Sequence, residues 1–161
     1  MPDAICNTSP LLYLYRIGAL DWLPKLFTNI STPNAVLMEL EEGRQRGHDV
    51  PNPNSFAWLR VKDPRAVPSE WLTLDLGPGE LAVLTLGLES TDCIVLLDER
   101  FARRLAQAAG LQVWGTLKIM LEAKSRGLTT SIKPLIARLK ESGMWISDEL
   151  RARVLSLAGE K

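Results

Sequence analysis

The chain has 161 residues, is 46% hydrophobic and 24% charged, and carries 19 Lys/Arg against 19 Asp/Glu. That length and composition predict one globular domain over residues 1–161 with a real hydrophobic core. No apolar run approaches the roughly 18 residues of a membrane span, and the N-terminus lacks the basic and apolar regions of a secretory signal, so no membrane partner is expected.

Ala4-Ile5-Cys6 is short and apolar and predicts a first, central strand. Asn7-Thr8-Ser9-Pro10 ends it, with Ser9 as a helix cap and Pro10 at the first helical position. Leu11, Leu14 and Tyr15 give a helical stripe that stops at Gly18. A second short helix is expected over Leu20 to Phe27, then a strand around Asn29-Ile30-Ser31. Thr32-Pro33 repeats the cap-then-proline signal and opens a helix with Val36, Leu37 and Leu40 inward. Glu39 borders that stripe. Gly43 to Asn54 is rich in Gly, Pro, Asn and charge, which predicts a mobile loop. Phe56 to Val61 fits an edge strand. Gly77-Pro78-Gly79-Glu80 opens the next helix, with Leu81, Val83, Leu84 and Leu88 along it and Glu80 in its first turn.

Cys93-Ile94-Val95-Leu96-Leu97 then ends abruptly in Asp98. A run of this length without polar alternation predicts a strand buried on both faces. Helical sequence follows at once, with Phe101, Leu105 and Ala108 as its stripe and Gly110 beyond its end. Gln112-Val113-Trp114 is a further short strand, and Gly115-Thr116 opens a helix that ends at Gly127. Ser131 and Ser147 are the expected caps of two last helices. Strands alternate with helices, so the fold class is α/β, with helices on both faces of a mostly parallel sheet. In such sheets the chemistry sits beyond the carboxyl ends of the strands, where Asp98 stands. Cys6 and Cys93 both fall in apolar runs, which predicts buried free thiols and suits the cytoplasm.

Absences narrow the chemistry. His48 is the lone histidine and falls in the predicted loop, so a zinc cluster or a Ser-His-Asp triad has no basis. No phosphate-binding glycine motif follows a strand. What remains is carboxylates at element ends: Glu39, Glu80, Asp98 and its neighbour Glu99. Clustered carboxylates repel unless protonated or bridged by a cation, and oxygen ligands without imidazole or thiolate select Mg²⁺ or Mn²⁺. Each acid also has a plain structural role open to it: Asp98 as a helix cap, Glu80 as dipole stabilisation, Glu39 as a solvated helix residue. The charge is divided too. Residues 1–98 hold 7 Lys/Arg and 13 Asp/Glu, and residues 99–161 hold 12 and 6. An acidic pocket beside a basic rim would produce that split, as would solvated helix faces.

Asn7-Thr8-Ser9-Pro10-Leu11 after a first strand, Glu39-Leu40, Gly79-Glu80 and Leu96-Leu97-Asp98-Glu99, in that order, resemble the PIN domain. More narrowly the chain resembles a prokaryotic PIN-like subgroup related to the ribonuclease toxins of toxin–antitoxin pairs. Gly115-Thr116-Leu117 and Ala123-Lys124 match its later segment, and the likeness runs from about Ile5 to Gly159. The resemblance implies a three-layer α/β/α fold and metal-dependent endoribonuclease activity with Mg²⁺ or Mn²⁺. It implies Glu39, Glu80 and Asp98 as metal residues and Asn7 as an auxiliary catalytic position. The family's first acid is normally aspartate, so Asn7 is a departure. Thr8, Thr116 and Glu99 are implied as support, Arg100, Arg103 and Arg104 as contacts to an RNA substrate, and an antitoxin and a second copy as partners. The alternative is a PIN-like binding module weakened by Asn7. A phospho-receiver would want an acidic pair after the first strand and a lysine after the last, and this chain offers Asn7 and Gly115-Thr116 there.

Overall fold

The computed structural model describes residues 1–68, 70 and 74–161. Among them, five strands form one sheet: β1 (Asp3–Cys6), β2 (Ile30–Thr32), β3 (Leu59–Val61), β4 (Cys93–Leu96) and β5 (Gln112–Trp114). Every pairing is parallel, and the order is β3-β2-β1-β4-β5. The two runs expected to be central are neighbours, in register from Asp3 with Cys93 to Cys6 with Leu96. Ala4, Ile5, Cys6, Ile94, Val95 and Leu96 are all buried. A strand covered on both faces has no polar side to show, which is why neither run alternates. The chain leaves β1 toward β2 and returns to set β4 on β1's other side. The strand order therefore reverses between β1 and β4, where open parallel sheets hold their ligands.

The helices are α1 (Thr8–Arg16), α2 (Leu23–Leu26), α3 (Asn34–Gln45), α4 (Pro78–Glu89), α5 (Arg100–Ala108), α6 (Thr116–Ser125), α7 (Lys133–Glu141) and α8 (Asp148–Leu157). α4 packs on β1 and β4, and α5 on β5, while α1 gathers α6 and α7, and α6 gathers α8. The result is a three-layer α/β/α arrangement. No helix among the described residues is long and apolar enough to cross a membrane. Cys6 and Cys93 are free thiols, Cys6 buried and Cys93 partly so.

Several local signals gave way to longer-range partners. Ser9 does not cap α1; Asn7 does, because its backbone N–H still donates to Leu96 O at 3.0 Å and the helix turns immediately after. Thr32 spends its hydroxyl on Cys6 O, 2.8 Å away, so α3 starts behind Pro33 instead. α5 is capped by Glu99 rather than Asp98, with Glu99 accepting from Phe101 N and Ala102 N. Its buried stripe is Ala102 and Ala106, while Phe101 is 41% exposed. Two methyl-sized side chains let the helix lie close on the sheet, which a phenyl ring there would prevent. Leu20 to Phe27 divides into a 3₁₀ turn, Leu20–Trp22, and α2. α3 runs two residues past Gly43 to Gln45, into the expected loop, and Pro53–Ser55 forms another 3₁₀ turn there. The glycine stops held: Gly18, Gly110 and Gly127 follow helices with φ of 72°, 83° and 75°.

Ser131 does not cap α7, whose cap is Ile132. Its hydroxyl donates instead to Glu160, at 2.6 Å. Glu160 also accepts from Ile132 N at 3.0 Å, Lys133 N at 3.2 Å and Lys124 Nζ at 2.8 Å. Those donors, the Ile132 N–H first, hold the Glu160 carboxyl down from 4.5 to about 2. A carboxyl depressed only in the folded chain stabilises the fold above its unfolded pKa, and that stability drains away as pH falls toward the folded one. After screening near the surface the contribution should be ~1 kcal/mol. Glu160→Gln should therefore lower the melting temperature at pH 7 by ~2–4 °C. The gap from wild type should close as melts are repeated down to pH 2.5. Parallel melting curves across that range would assign the tie no electrostatic role.

Candidate active site

Asn7 stands where β1 ends. Its backbone bond to Leu96 joins the ends of the two central strands. The side chain is 5% exposed, and its Oδ1 is buried with no hydrogen-bond partner. An unsatisfied buried carbonyl costs ~1–3 kcal/mol, so such an atom calls for an explanation. Glu39 is its neighbour. It reaches in from α3, where Thr8 Oγ1 donates to Oε2 at 2.7 Å and Gly79 N donates to Oε1 at 2.8 Å. Glu39 is thus not a solvated helix residue. Gly79, in the first turn of α4, leaves the space in which these groups meet. A Cβ at that position would collide with Glu39 Oε1 and stand 3.2 Å from Asn7 Oδ1. Two oxygens, one anionic and one without a partner, therefore converge over a glycine.

Asp98 lies two residues past β4, next to that pair of strand ends. Its Oδ1 accepts from Thr116 N and its Oδ2 from Thr116 Oγ1, both at 2.7 Å. Thr116 opens α6, so the acid is locked onto a helix N-terminus, a placement that favours an anion. Burial pushes the Asp98 carboxyl above the ordinary aspartate range; the two Thr116 bonds and the charge of Arg103 pull it back. Gly115 gives both groups room. A Cβ there would stand 3.0 Å from Asp98 Oδ1 and 3.1 Å from Arg103 Nη1. Arg103 consequently faces the acid rather than the solvent, unlike Arg100 and Arg104, which are exposed.

Glu80 completes a half capping box, accepting from Gly77 N at 2.9 Å. Burial raises its carboxyl above the usual range, Gly77's N–H opposes that, and the charges of Glu99, Glu39 and Asp75 add to the rise. Glu80 therefore shares one acidic field with Glu39 and Glu99. Glu99 is committed to capping α5, so it is not a spare ligand for the place that Asn7 leaves without charge.

Among the described residues, no three His, Cys, Asp or Glu side chains converge as a ready metal cage. The acids are held by donors of their own instead. The pocket still fits a hard cation. Its donor set is all oxygen, and Asn7 Oδ1 is a buried acceptor without a hydrogen-bond partner of its own. Mg²⁺ commonly takes one or two carboxylates and keeps several waters, so a closed cage of acids is not required.

From Asp98 a groove of about 760 Å³ opens between α5, α6 and the segment leading into α8. Arg100, Arg103, Arg104, Lys118 and Arg153 stand along it. All five come from the basic half of the sequence, whereas Glu39, Glu80 and Asp98 come from the acidic half. Of the three acids, only Asp98 lines this groove. Lys118, Arg153 and the exposed Trp145 on this groove were not among the expected residues. A tryptophan stranded between Gly143 and Ser147, outside any periodic stripe, was the available signal.

No curated protein matches the chain. The sheet order and the reversal between β1 and β4 define an open parallel α/β fold, with Asn7 and Asp98 just beyond the ends of its two central strands. The PIN domain family model matches residues 3–160, from the first residue of β1 to the acid that ties down the tail, and the chain belongs to that family.

Proposed function

We propose that the protein is a divalent-cation-dependent endoribonuclease. The observation that carries this reading is the buried, unpartnered Asn7 Oδ1 beside Glu39, bonded through its backbone to Leu96, two residues before the Asp98 that lines a basic groove. Asn7 and Glu39 would hold Mg²⁺ or Mn²⁺, with Glu80 and Asp98 supplying the remaining negative charge. An ion bound there supplies a water of lowered pKa and positive charge against a phosphodiester. The chain's own groups do the rest. Thr8 and Gly79 fix Glu39, and Thr116 fixes Asp98. Arg103, beside Asp98, meets the phosphate, while Arg100 and Arg104 hold the RNA backbone on either side of the cut.

The reading extends to the toxin of a cytoplasmic toxin–antitoxin pair, with an antitoxin as partner and a homodimer as the working form. The PIN family membership and the sequence likeness to such toxins support it. A short open reading frame for a DNA-binding protein beside the gene would support it further. Two observations favour the second reading, a module that binds RNA without cutting it: Asn7 brings no charge, and Glu39, Glu80 and Asp98 are each engaged by donors of their own.

Cleavage of a labelled RNA separates the two. The wild-type protein should cut with Mn²⁺ and not with EDTA. Asp98→Asn should cut ~10²-fold more slowly, as when a charged group at a metal site is neutralised. Its melting temperature should stay close to wild type, because Thr116 Oγ1 can turn to accept from the new amide. RNA binding without metal-dependent cleavage by the wild-type protein would select the binding module.

A further inference from the structure

The groove beside Asp98 ends in an aromatic surface. Trp145 is 84% exposed, in the connection between α7 and α8, and it lines the groove with Arg153 of α8 and Lys118 of α6. Among the described residues its ring stacks on no other ring; the aromatic pairs there are Phe27 with Trp114 and Phe56 with Trp58. Trp145 shares the groove with the exposed Leu150 and Leu157, and a contiguous exposed apolar patch of this kind marks a contact. The charges beside it say with what. Arg100, Arg104 and Arg153 form no ion pair among the described residues; of the other cations on this groove, Lys118 pairs with Glu122 at 3.0 Å and Arg103 faces Asp98. Unpaired cations leading to an exposed indole match a chain that alternates anions with flat rings. They match an acidic polypeptide less well, since it offers the anions without the rings.

We infer that Trp145 is a base-stacking subsite for an unpaired nucleotide of the RNA strand whose backbone runs over Arg100, Arg104 and Arg153. This rests on the nuclease reading and adds a second point of attachment along the groove that starts at Asp98. Stacking needs a base turned out of any duplex, so the subsite selects a single strand at that position. Every base has a π-face, so it does so with little sequence preference. Trp145 lies in the α7–α8 connection, on a different part of the chain from Glu39, Glu80 and Asp98, so its effect is on binding rather than on the chemical step.

The test uses the full chain in EDTA and fluorescein-labelled 12-nucleotide RNA, read by anisotropy. Trp145→Ala should weaken binding of the single strand about tenfold, within the range for loss of one base stack. Trp145→Phe should restore most of it. Neither variant should change affinity for a 12-base-pair duplex or for the strand carrying an abasic site at the contacted position. The side chain is exposed, so both variants should melt with the wild type. Wild-type affinity in Trp145→Ala, with RNA still bound and cut, would overturn the subsite and leave the nuclease reading standing. An equal loss on single-stranded, duplex and abasic RNA would overturn it too, because the indole would then be supporting the groove. RNA that the wild-type protein does not bind at all would remove both readings. Trp145-dependent binding of poly-glutamate in that case would assign the groove to a protein partner.

Discussion

Gly79→Ala should lower stability by ~2–3 kcal/mol, the range for overpacking a filled site, and remove cation binding. By helix propensity alone the sign would be the reverse. Gly79 lies in the first turn of α4 with an ordinary φ, and alanine is favoured over glycine in a helix by ~1 kcal/mol. The collision decides it. The new methyl would overlap Glu39 Oε1 and crowd Asn7 Oδ1. Glu39 would have to leave, giving up its bonds from Gly79 N and Thr8 Oγ1 and taking the charge away from Asn7. Denaturant unfolding gives the stability, and Mn²⁺ titration calorimetry gives the affinity. A variant as stable as wild type that still binds Mn²⁺ would mean that Glu39 and Asn7 do not meet over this glycine.

Asn7→Asp should move stability in opposite directions with and without metal. In EDTA at pH 7 it should destabilise by ~1–3 kcal/mol, because it sets a second buried carboxylate beside Glu39 and the two cannot both ionise freely. The sign with pH follows. The added carboxyl has a raised pKa in the folded chain, so its penalty is full above that pKa and disappears as pH falls through it. With Mn²⁺ the same charge is attractive. A tenfold gain in affinity corresponds to ~1.4 kcal/mol and should appear as a higher melting temperature at saturating metal. Any Mn²⁺-dependent cleavage should rise with it. Equal melting shifts in EDTA and in Mn²⁺ would show that residue 7 is not a cation position.

How much of this was written in the sequence differs from residue to residue. The central strands were legible, because Ala4–Cys6 and Cys93–Leu97 have no polar face and a strand buried on both sides can have none. The glycine helix stops were legible for a similarly local reason, since left-handed backbone strains any other residue. Caps were less so. Ser9, Thr32 and Ser131 each carry a good cap side chain, yet their surroundings are set by Leu96, Cys6 and Glu160, far along the chain. Glu39 could not be told from its solvated helix neighbours. What turns it inward are Thr8 and Gly79, 31 and 40 residues away. The order of the acids along the chain, through the family likeness, marked positions 7, 39, 80 and 98 as candidates. It did not show that Arg103 faces Asp98 or that Glu99 is spent as a cap. The charge split indicated a basic surface in the second half of the chain, but only the packing of α8 beside α6 brings Arg153 and Lys118 into one groove.

The pairing of β1 with β4 also governs when the site can exist during synthesis. Asp3 pairs with Cys93 and Cys6 with Leu96, so the first strand made waits on that side for one made much later. Pairings so distant in sequence form slowly, because the closure of a long loop must precede any gain from contact. A nascent chain that has passed Glu80 already contains Asn7 and Glu39. It lacks the strand that aligns Asn7 through Leu96 and the acid that follows it. Chains cut short on the ribosome between residues 80 and 93 therefore carry three of the four site positions without the strand that aligns them. The order of synthesis delays assembly until most of the polypeptide has been made.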